Sequence, residues 1–362
     1  MLQIRCTSCH SAYPESSMPY RCPRCGGIYD YDGPFPIQRA DLANPGTSIW
    51  QYKNSFGPSS QHAAVSMGEG KTPLLMRTLN GQSLGFKMES SNPTGSYKDR
   101  GTSLLLTELK SRNISFAVED SSGNAGASFA TYCSWSGIDC KIFVPESASG
   151  AKLAQISRSN AELITVPGAR ANATQALLNS LQSDSVVYAS HAYQPFSLPG
   201  IATIAYELVQ ELGAAPGTVI APVGHGGLFL GLMRGFTALY EGKLIQQMPA
   251  MIGVQGLGFH PLVAHFHPEM STACEPAIES LAEGVRIQEP ARFEQILAMS
   301  KIMNCDFVAC SNPELENAIS ELWKMGIYVE MTSALVWAAF RKSLKKLPEP
   351  IIFILTGSGL KY

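Results

Sequence analysis

Apolar positions along this chain come in short unbroken runs. Each run is followed by a loop carrying glycine or serine, and then by a stretch with helical periodicity. Phe116-Ala-Val-Glu runs into Ser121-Ser-Gly-Asn-Ala-Gly126, and Ser128 to Trp135 reads as helix. Cys140-Lys-Ile-Phe-Val144 precedes Pro145 and another helical stretch. Glu162-Leu-Ile-Thr-Val166 precedes Pro167-Gly168 and a helix to about Leu181. Thr218-Val-Ile-Ala-Pro-Val223 leads into Gly224-His-Gly-Gly227 and a helix to about Glu241. Ala250-Met-Ile-Gly-Val254 and Pro350-Ile-Ile-Phe-Ile-Leu355 are further strand candidates. Runs that are apolar throughout, rather than at alternate positions, mark strands buried on both faces. Their alternation with helices predicts an α/β fold built on largely parallel sheets.

The first 33 residues break the pattern. They are polar and rich in Cys, Pro and Gly, and Gly33-Pro34-Phe35-Pro36 reads as a linker. Beyond it there is no internal repeat and no low-complexity tract.

Composition narrows the class. Charged residues make up 15% of the 362, against roughly 25% in an average soluble protein, while the hydrophobic share is 45%. That balance excludes a disordered chain. With 27 Lys plus Arg against 29 Asp plus Glu, the net charge is −2, which argues against nucleic acid as a partner. No apolar run approaches the roughly 18 residues of a membrane span. Met1-Leu-Gln-Ile-Arg-Cys6 has no basic region followed by an apolar stretch, so no secretory signal is expected. The expectation is a cytoplasmic protein with more than one domain.

Four of the nine cysteines form Cys6-x2-Cys9-x12-Cys22-x2-Cys25. Two Cys-x-x-Cys knuckles supply four thiolates, which suit tetrahedral Zn²⁺ and close its coordination sphere. A closed four-sulfur site leaves no position for substrate, so it reads as a structural staple. The other five, Cys133, Cys140, Cys274, Cys305 and Cys310, are expected to be buried small apolar residues. An odd total without a signal peptide is a poor disulfide framework.

Asn92-Pro-Thr-Gly-Ser-Tyr-Lys98-Asp-Arg-Gly101 sets one lysine after a Pro/Gly turn and before a helical pattern, Thr102 to Lys110. The positive end of a helix dipole favours the uncharged amine, the form that makes a Schiff base with an aldehyde. Alone, a lysine at a helix start is ordinarily a solvated charge. Two strand–loop–helix junctions, Ser121 to Gly126 and Gly224 to Gly227, change those odds, because each exposes backbone N–H groups as an anion cradle. Together with Lys98 they suit a phosphorylated aldehyde cofactor and a substrate carboxylate. A dinucleotide fingerprint fails, since its third glycine would be Phe229. A P-loop fails, since Gly70-Lys71-Thr72 would need a glycine at Val65. Thr356-Gly-Ser-Gly359 puts a hydroxyl at the end of the last strand, where an α/β crevice faces its ligand. His260, His265 and His267 read as a loop cluster rather than a second metal site.

With these residues in view, the chain resembles the threonine synthases, within the β-family (fold type II) of pyridoxal-phosphate enzymes, over nearly its whole length. The likeness is carried by the ribbon with Tyr29-Asp-Tyr-Asp-Gly33, by Ser66-Met-Gly-Glu-Gly-Lys-Thr-Pro-Leu74 and by Asn92 to Gly101. It continues in Ser121 to Ser128, Pro222 to Gly227, Gly253-Val-Gln255, Val285-Arg-Ile287, Gly326-Ile-Tyr-Val-Glu330 and Thr356 to Lys361. The resemblance implies a two-domain fold type II enzyme with parallel-sheet domains, an N-terminal zinc ribbon and the cofactor between the domains. It implies a ribbon at 1–33, a large cofactor-binding domain at 34–100 and 205–362, a small substrate domain at 101–204, and a homodimer. Lys98 would hold pyridoxal phosphate as a Schiff base, and its freed amine would act as general base on the α-proton. Asn124 would bond the cofactor's 3′-oxygen, and Thr356 would meet the ring nitrogen. Gly224, His225, Gly226 and Gly227 would cradle its phosphate. Ser121, Ser122, Gly123 and Ala125 would receive the substrate carboxylate.

In the family, phosphate leaves O-phosphohomoserine and water adds at Cβ. Such synthases carry Asn-Pro-x-Arg-x-x-Gly-x-Lys-Thr where this chain reads Gln194-Pro-Phe-Ser197-Leu-Pro-Gly200-Ile-Ala202-Thr203. The family's Arg helps bind the substrate phosphate. A dianion wants a guanidinium fork or several charge-assisted donors, and a serine hydroxyl supplies one neutral donor. His225 stands where Asn is common. A serine/threonine ammonia-lyase and a β-replacement enzyme of the cysteate-forming kind therefore stay open as alternatives. A non-catalytic ribbon protein is disfavoured by the joint presence of Lys98, Asn124 and Thr356.

Overall fold

The computed structural model describes residues 2–43, 46–148, 150–181, 186–270, 279–343 and 346–361. Cys274 lies outside them. The other four scattered cysteines are free thiols, with Cys133, Cys140 and Cys310 buried and Cys305 half-buried.

Three sheets organise the described residues. The first is a two-stranded antiparallel ribbon of β1 (Ile4–Cys6) and β2 (Tyr29–Tyr31). The largest has the order β11-β10-β9-β12-β4-β3. It is built from β3 (Leu74–Leu79), β4 (Gln82–Met88), β9 (Thr218–Pro222), β10 (Ala250–Gly256), β11 (Cys305–Cys310) and β12 (Ile351–Leu355). All of its pairings are parallel except the β3–β4 hairpin. The third sheet, order β7-β6-β5-β8, is wholly parallel. Its strands are β5 (Phe116–Glu119), β6 (Asp139–Pro145), β7 (Glu162–Val166) and β8 (Val187–Tyr188). This is the α/β, parallel-sheet architecture of fold type II. No helix among the described residues is long and apolar enough to cross a membrane.

Burial explains the apolar runs. Every residue of β9 and β12 is buried, because helices cover both faces of the large sheet. Along β12 the faces alternate. Ile351, Phe353 and Leu355 pack with Trp337 of the helix Met331–Lys342, whereas Ile352 and Ile354 join the core on the other side. The hairpin and β11 escape the simple pattern. β3 is exposed or half-exposed along its length, and its turn is Asn80-Gly81 with both residues at positive φ, the signature of a tight two-residue hairpin.

Two glycines set the contact that positions the site. A Cβ on Gly200 would overlap the Arg100 carbonyl oxygen, and one on Gly101 would come within 2.8 Å of Ser197 Cβ. The helices Lys98–Ser111 and Ser197–Leu212 therefore cross almost backbone to backbone. That crossing puts Ser197 beside the start of the Lys98 helix. Arg100 is fully buried between them, forked onto Glu89 (2.7 Å from both Nε and Nη2) and onto Glu207 (2.7 and 2.8 Å).

Candidate active site and ribbon

Lys98 is the first residue of its helix, one turn earlier than its apolar pattern begins. The preceding turn is self-satisfied. Asp99 Oδ2 accepts from the Thr94 N–H at 2.7 Å, and Asp99 Oδ1 accepts from Ser128 Oγ at 2.6 Å. The Tyr97 N–H donates to the Thr356 carbonyl at 3.0 Å, which ties the lysine's turn to the end of β12.

The Ser121–Gly126 loop leaves the end of β5 and opens the helix Asn124–Ser136. The Gly224–Gly227 loop leaves β9 and opens the helix Gly227–Glu241, with Gly226 at φ +94° in the N-cap position. A side chain at Gly226 would meet Ile296 at 2.7 Å, and one at Gly224 would meet the Gly284 carbonyl at 2.8 Å. A Cβ on Gly227 would meet nothing within 4 Å. The loop thus packs closely behind and stands open in front, as a backbone anion cradle must.

Both loops border one cavity of about 500 Å³, within the range of small-molecule sites. Lys98, Ser121, Ser122, Gly123, Asn124, Ala125, Gly224, His225, Gly226, Gly227 and Thr356 all line it. Ser197 lines it as well. Gln194 and Ala202 are buried instead. Gln194 turns away toward the ribbon, accepting from Tyr13 Oη at 3.0 Å and donating to the Met18 carbonyl at 3.1 Å. The donor set fits pyridoxal phosphate: an amine for its aldehyde, a glycine cradle for its phosphate, and an amide and a hydroxyl for its ring atoms.

Two features of the cavity lay outside the sequence reading. Glu330, 3% exposed, sits between Asn124 and Thr356. Its carboxylate accepts from Asn124 Nδ2 at 2.9 and 3.0 Å and from Thr356 Oγ1 at 3.1 Å, and Lys152 Nζ lies 3.3 Å away. The string Gly326 to Glu330 was part of the family likeness but carried no role. The second is the pair Glu119–His191, with Oε1 and Nδ1 2.6 Å apart. Burial, reinforced by Asp120, pushes the Glu119 carboxyl well above the usual carboxylate range. Burial, together with the charges of Lys98, His225 and Arg170, holds His191 well below the ordinary imidazole value. His225 is pushed down to about 3 by burial, then by Arg170, Lys98 and Arg292.

In the ribbon, the four sulfurs lie within 4.8 Å of one another. Cys6 and Cys25 Sγ are 3.4 Å apart, and Cys9 and Cys22 Sγ 3.7 Å. A tetrahedron with Zn–S bonds of about 2.3 Å has edges of about 3.8 Å, so the donors match that ion and are far too distant for disulfides. The two knuckles share a geometry. His10 and Gly26, each following the second cysteine, have φ of 58° and 74°, and their N–H groups donate to Cys6 O (3.0 Å) and Cys22 O (2.8 Å).

Comparison with known proteins agrees with this geometry. The family model "Pyridoxal-phosphate dependent enzyme" matches residues 65–357. The threonine synthase of Methanocaldococcus jannaschii is 31% identical over 379 residues, covering 100% of this chain and 93% of that protein. The threonine synthase of Methanosarcina acetivorans is 27% identical, covering 100% and 92%. Among solved structures, a pyridoxal 5′-phosphate-dependent aspartate racemase superimposes with a TM-score of 0.69 at 20% identity, covering 90% of this chain and 97% of that one. That last likeness speaks for the fold alone.

Proposed function

The chain belongs to the pyridoxal-phosphate-dependent enzymes of fold type II, in the threonine synthase family, and from that premise we propose that it converts O-phosphohomoserine and water into threonine and phosphate. One observation carries the reading: the likeness to threonine synthases runs through the whole chain, ribbon included, and the residues it singles out border one cavity.

Pyridoxal phosphate, when bound, supplies an electron sink for charge developing at the substrate's α-carbon. The chain's own residues do the rest. Lys98, at a helix start beside the cavity, holds the cofactor and then takes and returns a proton at the substrate Cα. The Ser121–Ala125 amides at the start of Asn124–Ser136 orient the substrate carboxylate. Gly224 to Gly227 would hold the cofactor phosphate. Asn124, braced by Glu330, would fix one edge of the ring, and Thr356 would offer the ring nitrogen a neutral hydroxyl. The reading includes a structural Zn²⁺ on Cys6, Cys9, Cys22 and Cys25, a homodimer, and action in the cytoplasm, where these thiols stay reduced.

Purified holoenzyme given O-phosphohomoserine should release phosphate and threonine in equal amounts; if neither appears, the assignment is wrong. A Lys98→Ala variant should lose the visible absorption of the bound cofactor. A second reading, a serine/threonine ammonia-lyase or β-replacement enzyme of the cysteate-forming kind, is favoured by Ser197 and Ala202 standing at the family's Arg and Lys positions. Deamination of serine or threonine, or reaction of phosphoserine with sulfite, would select it.

A further inference from the structure

Four cationic side chains line the cavity: Lys98, Lys152, Arg170 and Arg286. Lys152 faces Glu330 at 3.3 Å and Glu283 at 4.0 Å. Arg286 faces Glu279 at 3.5 Å and donates to the Ser280 carbonyl. Lys98 would be taken by the cofactor. Arg170 is different. It is an exposed residue that opens the eleven-residue helix Arg170–Ser180 at the edge of the cavity, and its guanidinium has no hydrogen bond or ion pair among the described residues.

Arg170, His191, Ser197 and His225 all line the cavity, and the charge of Arg170 favours the ionised form of Glu119 and disfavours that of both imidazoles. Glu119 engages Nδ1 of His191 at 2.6 Å, which leaves Nε2 as the ring nitrogen available to a ligand. The Nδ1 of His225 is buried without a partner among the described residues. Ser197 adds a hydroxyl. To these polar side chains Arg170 adds a permanent positive charge and a planar fork of donors.

We propose that Arg170, beside the imidazole of His191, receives an anionic group at the far end of the substrate's side chain, and so sets specificity for amino acids with a phosphate or similar tetrahedral oxyanion there. The proposal rests on the reading above and deepens it, because it replaces the guanidinium that position 197 lacks with one from a different element. The fork of Arg suits two oxygens of such a group.

The test is equilibrium binding to the holoenzyme of a phosphonate analogue of O-phosphohomoserine, whose CH2 in place of the ester oxygen prevents loss of phosphate, and of 2-aminopentanoate, which lacks the anionic group, with inorganic phosphate as competitor, in wild type, Arg170→Ala and Arg170→Lys. Wild type should prefer the phosphonate. Arg170→Ala should cut that preference about tenfold, and Arg170→Lys by less, since charge survives but the fork does not. His191→Asn should cut it more mildly. The preference should shrink as salt rises. A preference left intact in Arg170→Ala overturns the role of Arg170 while the reading stands. No preference in wild type overturns both, and points to a neutral hydroxy amino acid.

Discussion

The side-chain amide of Asn124 is held by the carboxylate of Glu330, with Nδ2 3.0 Å from Oε1 and 2.9 Å from Oε2. The same Oε1 accepts from Thr356 Oγ1 at 3.1 Å. One buried carboxylate thus orients the two side chains that would hold the cofactor ring. It also decides which way the Asn124 amide points: nitrogen toward Glu330, oxygen toward Lys361 Nζ at 3.4 Å.

Glu330→Gln keeps the shape but offers an amide where Asn124 needs an acceptor. It also leaves Lys152 without its closer partner. A hydrogen bond to a charged group contributes about 1.5–3 kcal/mol, so the cofactor should bind about tenfold more weakly or worse. Fluorescence titration of the apoenzyme with pyridoxal phosphate measures this. Unchanged affinity would mean that Asn124 finds its orientation without Glu330.

Arg100 forks onto Glu89 and Glu207, and Lys87 Nζ lies 2.9 Å from Glu207, all with buried side chains. Arg100→Met would leave Glu89 without its cation and leave Lys87 to serve Glu207 as well as Glu211. Breaking a buried pair on one side costs about 3–5 kcal/mol, which urea unfolding should register. Burial alone would raise the Glu207 carboxyl, but Arg100 and Lys87 outweigh it and hold it well below the ordinary value of 4.5. A depressed carboxylate stabilises the fold above its unfolded value and loses that contribution as pH falls. Wild type should therefore lose stability steeply below about pH 4.5, and Arg100→Met should show a shallower acid slope from a lower plateau.

The strand–loop–helix junctions of the site were legible because they are local. A run such as Thr218 to Val223, ended by glycines, admits few readings. The ribbon was legible for the same reason, its ligands being two four-residue knuckles. What could not be read depends on pairings far apart in sequence. Glu330 reaches Thr356 through the bridge between Val329 and Ser358, and Glu119 meets His191 across 72 residues. Arg170 sits in a segment whose direction relative to the cavity is set by packing alone. The exposed strand β3 lacked the unbroken apolar run that marks its neighbours.

Asp99 adds an opposite pH response. Burial pushes its carboxyl up to about 6 from 3.8, against hydrogen bonds from Ser128 and Thr94 that favour the ionised form. A carboxyl raised on folding contributes stability that is complete below its unfolded value and is lost as pH rises through the folded one. The fall between pH 4 and 7 amounts to about 3 kcal/mol. Asp99→Asn cannot ionise. It should pay a fixed cost for one lost acceptor and show no such decline, so wild-type and variant melting curves should converge as pH rises. Parallel curves across that window would show that Asp99 is ionised in both folded and unfolded chains at the same pH.

The ribbon is joined to the cavity through Arg292. That fully buried guanidinium donates to the Tyr29 carbonyl from Nη1 and to the Tyr193 carbonyl from Nη2, both at 2.7 Å, while its backbone N–H donates to the His225 carbonyl at 3.0 Å. Gln194 makes a second join, through Tyr13 and the Met18 carbonyl. A segment this small has little core of its own, so with Zn²⁺ on its four thiols its fold would depend on that metal. Chelating zinc, or replacing Cys25 by Ser, should release Tyr29 and Met18 and loosen both the His225 loop and the 190–197 segment. The expected result is a melting temperature lower by at least ~3 °C and weaker cofactor binding, measured beside the metal content. Arg292→Gln severs the first join without touching a thiol, so it should weaken cofactor binding while zinc stays bound. If chelation lowers neither quantity, the ribbon stands apart from the site and Arg292 serves only the packing around it.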